Sequence, residues 1–198
     1  MMVGMSHAPE TGLEDATVIG VSISVPAPFG DELQGKRASY GDPRAQAIPA
    51  HVTLLGPTPV SAGEMPALLD HLDEAATRVP AFTMVLRGTG TFRPLSDVVF
   101  VQVARGIAAC EELERVIRSG RWFRDLGFPY HPHVTVAHDV PEDALDVAFD
   151  DLAGYAAEFE VPSFHLYAQD GAGTWVPVRE FPLADGQDGQ DGLGGRVR

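Results

Sequence analysis

The chain has 198 residues, 44% of them hydrophobic and 21% charged, which is enough for one substantial core. Its 28 Asp and Glu against 14 Lys and Arg give a formal net charge of −14, which excludes an extended nucleic-acid surface built on clustered cations. No apolar run approaches the roughly 18 residues that span a bilayer, and the N-terminus lacks the basic and apolar regions of a secretory signal, so a cytoplasmic protein without membrane association is expected.

Residues 1–16 are polar and read as a flexible lead-in. Thr17 to Val25 is rich in β-branched residues and predicts a strand, ended by Pro26 and Pro28. Phe29 to Tyr40 has weak helical character. Ala47 to Leu55 predicts a second strand, stopped by Gly56-Pro57. Ser61 and Glu64 have the spacing of a capping box before a helix running to Val79, whose Leu68, Leu72, Ala75 and Ala76 fall on one face.

Phe82–Phe92 and Val98–Ala104 predict strands joined by a turn at residues 94–97, and Ile107–Ser119 a helix stopped at Gly120. The single cysteine, Cys110, shares a helix face with Leu113 and Ile117 and reads as a small core residue. Arg115, Arg118, Arg121 and Arg124 recur near that helix end, where its dipole favours cations.

Tyr130–Ala137 predicts a strand and Glu142–Tyr155 a helix. Phe159–Ala168 and Thr174–Phe181 predict a closing hairpin across Asp170-Gly171-Ala172-Gly173. Residues 184–198 are Gly-, Asp- and Gln-rich and read as a disordered tail. Hairpins without a βαβ rhythm or a phosphate loop indicate an α+β fold of mainly antiparallel strands with outer helices.

The acidity is uneven. Residues 51–138 hold eight Lys and Arg against nine Asp and Glu, a net of −1, so a small anion could be received there. That stretch is bounded by two similar segments, His51-Val52-Thr53-Leu54 and His133-Val134-Thr135-Val136, whose offset is 133 − 51 = 82 residues. In a strand, alternate side chains share a face. His51 with Thr53, and His133 with Thr135, would then look into a groove while the apolar residues between them pack inward.

Two imidazoles are suited to acid–base work at neutral pH, and two hydroxyls to holding non-bridging phosphate oxygens. The bland alternative for one His-x-Thr segment alone is a hydrogen-bonded structural histidine. Two copies in matching strand contexts favour the chemical reading.

These motifs resemble those of the 2H phosphoesterases, the group of LigT-like proteins, 2′-5′ RNA ligases and cyclic phosphodiesterases, over roughly residues 17–183. The resemblance rests on both His-x-Thr segments, the helix after the first, the run ending at Phe92 and the Pro132-His133 context. It implies a bilobal fold of two pseudo-symmetric lobes of antiparallel sheet with outer helices and a central cleft. It implies hydrolysis of a 2′,3′-cyclic phosphate, on a small cyclic nucleotide or an RNA 3′ end, to a 2′-phosphate, with 2′-5′ ligation in some members. No cofactor or metal is implied. His51 and His133 would be the acid–base pair, and Thr53 and Thr135 the phosphate ligands. Many members carry Arg or Lys shortly after the second motif, where this chain has His138.

Tyr130, His131, Phe128 and Arg93 are further candidates for substrate contact, the aromatics by stacking on a base. For Phe128 and Tyr130 a core role at a strand entrance is the competing reading. His131 and His133 have a metal-ligand spacing, but no third ligand is apparent, and regular alternation sets His138 on the opposite strand face. His71 and His165 have no evident partner and read as structural. A monomer is expected. The second function class is a non-catalytic module that binds a nucleotide or RNA end in the same groove.

Overall fold

A computed structural model describes residues 16–185. Eight strands form one antiparallel sheet in the order β6-β3-β4-β5-β2-β1-β7-β8. In chain order the elements are β1 (Ala16–Ser24), α1 (Phe29–Ser39), β2 (His51–Ser61), α2 (Met65–Ala76), β3 (Phe82–Thr91), β4 (Val98–Arg105), α3 (Ile107–Ile117), β5 (His133–His138), α4 (Glu142–Asp151), β6 (Ala156–Val161), β7 (Ser163–Gln169) and β8 (Trp175–Pro182).

The first half of the chain is echoed in the second. The succession β1-α1-β2-α2-β3 is answered by β4-α3-β5-α4-β6, and the two successions begin 98 − 16 = 82 residues apart, the offset of the two motifs. Each motif strand is the inner strand of its lobe. The lobes meet where β2 pairs with β5 at Val52 and Val134, the central residues of the two motifs.

The sheet curls. Only Pro162 separates β6 from β7, yet they stand near opposite ends of the strand order. Leu183 N–H donates to the Pro162 carbonyl at 2.8 Å, and Ala184 bridges to Pro80, which closes the back of the molecule. Ala184, read from sequence as the start of a disordered tail, is thus paired. The rest of that tail beyond Asp185, and all but Ala16 of the lead-in, lie outside the described residues.

Helices pack against the sheet with apolar stripes. Leu68, Leu72, Ala75 and Ala76 of α2 are buried, as are Cys110, Leu113 and Ile117 of α3. Ser61 and Glu64 do pair, with the Ser61 N–H and hydroxyl donating to Glu64 Oε2 at 3.2 and 2.8 Å before α2 begins.

Several sequence expectations need correction. The strand expected to stop at Gly56-Pro57 continues to Ser61. Its far half is tolerant of Pro57 and Pro59 because only β1 pairs with it there, leaving the other edge free of ladder bonds. The strand expected from Tyr130 begins at His133, since Pro132 carries no N–H to donate.

The expected helix to Tyr155 ends at Asp151, and the strand expected over Phe159–Ala168 is two strands. Pro162 breaks the run, and β6 pairs with β3 while β7 pairs with β1. The helix expected to reach Val79 ends at Ala76. No helix among the described residues is long and apolar enough to cross a membrane.

Candidate active site

Both motif strands alternate as expected. Val52, Leu54, Val134 and Val136 are buried, while His51, Thr53, His133 and Thr135 are half-buried on the cleft face. Antiparallel pairing at Val52 and Val134 puts His51 beside Thr135 and Thr53 beside His133 on either side of that bridge. The arrangement is a local two-fold: each lobe contributes a histidine next to the other lobe's threonine.

The two strands share a further irregularity. Successive partners of β2 on β1 skip Leu54, and successive partners of β5 on β4 skip Val136, so each strand carries a bulge one residue past its threonine. The burial pattern after each bulge is re-phased, with Leu54-Leu55 and Val136-Ala137 all buried. His138 therefore returns to the cleft face, where regular alternation excluded it. Gly56 is its counterpart in the first lobe.

The histidines are oriented alike. His51 Nδ1 lies 2.6 Å from the Pro49 carbonyl and His133 Nδ1 lies 2.7 Å from the His131 carbonyl. A carbonyl only accepts, so each Nδ1 carries the proton and donates it, leaving each Nε2 with its lone pair. The same two-residue reach back to a carbonyl fixes both rings.

Burial pushes both imidazoles below their ordinary value of 6.5. The Pro49 and His131 carbonyls act in the opposite direction. The charges of Arg37 and His133 lower His51 further, and His131 does the same to His133.

A cavity of about 410 Å³ opens over this face. His51, Thr53, Thr135 and His138 line it together with Ser22, Arg37, Arg44, Tyr167, Gln169 and Trp175. Trp175 is drawn over it because its backbone N–H donates to the Ala47 carbonyl at 3.0 Å, tying β8 to the loop before β2. His133 stands outside this lining. Its ring is flanked by Phe92 and Phe100, each with its centroid 5.0 Å away, in an aromatic shelf on the other lobe.

The remaining sequence candidates have other surroundings. Tyr130 packs against the core and donates its hydroxyl to the Thr53 carbonyl at 2.9 Å, so it braces the first motif from behind. Burial keeps that phenol protonated. His131 joins the aromatic shelf, 5.4 Å from Phe100. Arg93 is paired with Asp146 at 2.8 Å. Phe128 is 67% exposed in the loop before β5. None of the four lines the cavity.

His71 ties α2 to α3 through the Ile117 carbonyl at 3.0 Å. Among the described residues no three His, Cys, Asp or Glu side chains are gathered as a metal site.

Sequence reasoning missed Arg37, Arg44, Tyr167 and Trp175. Arg37 left a signal, since it falls on the face of α1 that also buries Gly30 and Leu33. An Arg at a core-facing position needs an explanation.

Residues 25–173 match the family model of the 2′-5′ RNA ligase superfamily. The chain belongs to this superfamily. Among curated proteins it is similar to a presumptive phosphoesterase of Halalkalibacterium halodurans, at 27% identity over 83% of this chain and 96% of the relative. A presumptive phosphoesterase of Bacillus thuringiensis is 24% identical over 86% and 99%.

Among solved structures, Escherichia coli LigT complexed with 3′-AMP has a TM-score of 0.64 at 24% identity, over 85% of this chain and 98% of that one. A Thermus thermophilus protein has a TM-score of 0.56 at 22% identity, over 85% and 98%. These structural likenesses establish the LigT-like α+β fold. These curated relatives are both described as phosphoesterases.

Proposed function

We infer that this superfamily member hydrolyses a nucleoside 2′,3′-cyclic phosphate, free or at an RNA 3′ end, to a 2′-phosphate. The observation that carries the reading is the matched pair of imidazoles, each donating Nδ1–H to a backbone carbonyl two residues upstream and each keeping Nε2 free. Mere binding does not require two titratable groups held in the same tautomer.

In the proposed step one Nε2 takes a proton from water as its oxygen attacks phosphorus. The other imidazole, protonated, delivers its proton to the departing 3′-oxygen as the P–O3′ bond breaks. Thr53 and Thr135 hydroxyls donate to the non-bridging oxygens and hold phosphorus between the two rings. Each histidine ends in the protonation state its partner began with, so a proton exchange with solvent resets the site.

The aromatic wall of Tyr167 and Trp175 suits a nucleoside beside the phosphate. Structures of E. coli LigT complexed with 3′-AMP, ATP and NADP+ accord with a nucleotide-sized ligand in this fold.

The test is hydrolysis of the four nucleoside 2′,3′-cyclic phosphates followed by phosphorus NMR. A 2′-phosphate product supports the reading. A 3′-phosphate would reverse the proposed leaving group, and no product from any of the four would reject the substrate class.

A further inference from the structure

The proposed site lacks one thing that its chemistry requires. Two threonines and two imidazoles held below 6.5 bring no permanent charge to meet an anionic phosphate. The chain as a whole, at −14, repels one. Yet among the described residues no Asp or Glu lines the cavity, while Arg37 and Arg44 do.

Of these two, Arg44 has a side chain 61% exposed and paired with Asp139 at 3.2 Å. Arg37 is different: it is 4% exposed and reaches the cavity from the buried face of α1.

Its attachment explains why it can serve a ligand. Arg37 Nε–H donates to Asp42 Oδ2 at 2.8 Å. Asp42 is then fully engaged, because Oδ2 also accepts the His138 N–H at 3.1 Å and Oδ1 accepts the Arg44 N–H at 2.8 Å. The two terminal nitrogens of Arg37 have no hydrogen-bond partner among the described residues, neither is fully buried, and Arg37 lines the cavity. A guanidinium anchored by one edge presents the other as a preformed fork, which binds a phosphate with little loss of side-chain freedom.

We propose that Arg37, a residue outside both motifs, is the cation that binds the phosphate held by Thr53 and Thr135; the inference rests on the phosphodiesterase reading of the cleft. Its charge already reaches His51. The alternative is a buried ion pair that only closes the loop between α1 and β2. That role would leave the terminal nitrogens without a function.

Inorganic phosphate is the probe, with binding to the full chain measured by calorimetry for wild type, Thr53→Ala, Arg37→Lys and Arg37→Met. Arg37→Met is expected to lose at least tenfold in affinity while its circular dichroism stays native, and Arg37→Lys to keep part of it. A folded Arg37→Met that binds as wild type, with Thr53→Ala weakened, overturns the assignment and leaves the cleft reading standing.

Wild type that binds no phosphate overturns both. Should Arg37→Met fail to fold, the wild-type Arg37 Nε–H resonance carries the test. A shift on adding phosphate supports the contact, and a resonance that does not move refutes it.

Discussion

Tyr130→Phe isolates one atom. It removes the hydroxyl that donates to the Thr53 carbonyl at 2.9 Å and leaves the ring that packs against the core. A net hydrogen bond of this kind is worth about 1 kcal/mol. For a chain of this size that lowers Tm by about 2–4 °C.

The same bond braces β2 at the threonine of the first motif, where the ladder between β2 and β5 is one register pair, Val52–Val134. A displacement of the motif at this ladder degrades alignment of the reacting groups, so kcat/KM should fall roughly 3–10-fold. Thermal unfolding followed by circular dichroism reads the first effect, and steady-state hydrolysis of a 2′,3′-cyclic nucleotide reads the second. A Tm within about 1 °C of wild type together with unchanged kcat/KM would refute the bracing role.

Other predictions concern the titrating and thiol groups. Both motif imidazoles are depressed below 6.5, so kcat/KM, which reports the free enzyme, should form a bell whose alkaline limb lies below 6.5. A bound phosphate anion favours the protonated forms, so the kcat profile should lie at higher pH; a kcat/KM bell centred above about 7 would contradict the burial argument. The same depression means that the unfolded chain takes up these protons first. Stability is therefore complete above about 6.5 and declines as pH falls through the lowered values, which urea midpoints across that range can check. Burial pushes the Cys110 thiol up to about 12, so it should react with a thiol reagent only at the rate of unfolding; prompt reaction in the native state would place it outside the core.

The motif strands were legible in the sequence because a period of two with apolar partners at Val52, Leu54, Val134 and Val136 admits one facing. The helix stripes of α2 and α3 were legible for the analogous reason. What could not be read depended on partners distant in the chain. The bulge at Val136 is defined by β4, and without it His138 was assigned to the wrong face. The split at Pro162 turns on β6 and β7 finding different neighbours. Arg37 drew no reading from the sequence because its setting depends on Asp42 and on a cavity assembled from several elements. Trp175 depended on the Ala47 carbonyl across the cleft.

In the proposed mechanism two histidines from two lobes share one acid–base reaction. The most direct measurement is turnover of a nucleoside 2′,3′-cyclic phosphate, with EDTA present, by wild type, His51→Ala and His133→Ala. A shared acid–base pair predicts turnover in wild type and a loss of roughly 10²–10⁴-fold in each variant, with native circular dichroism retained. A folded His133→Ala enzyme that turns over like wild type would contradict it, and would identify the cavity around His51 as a site that works without the second lobe's histidine.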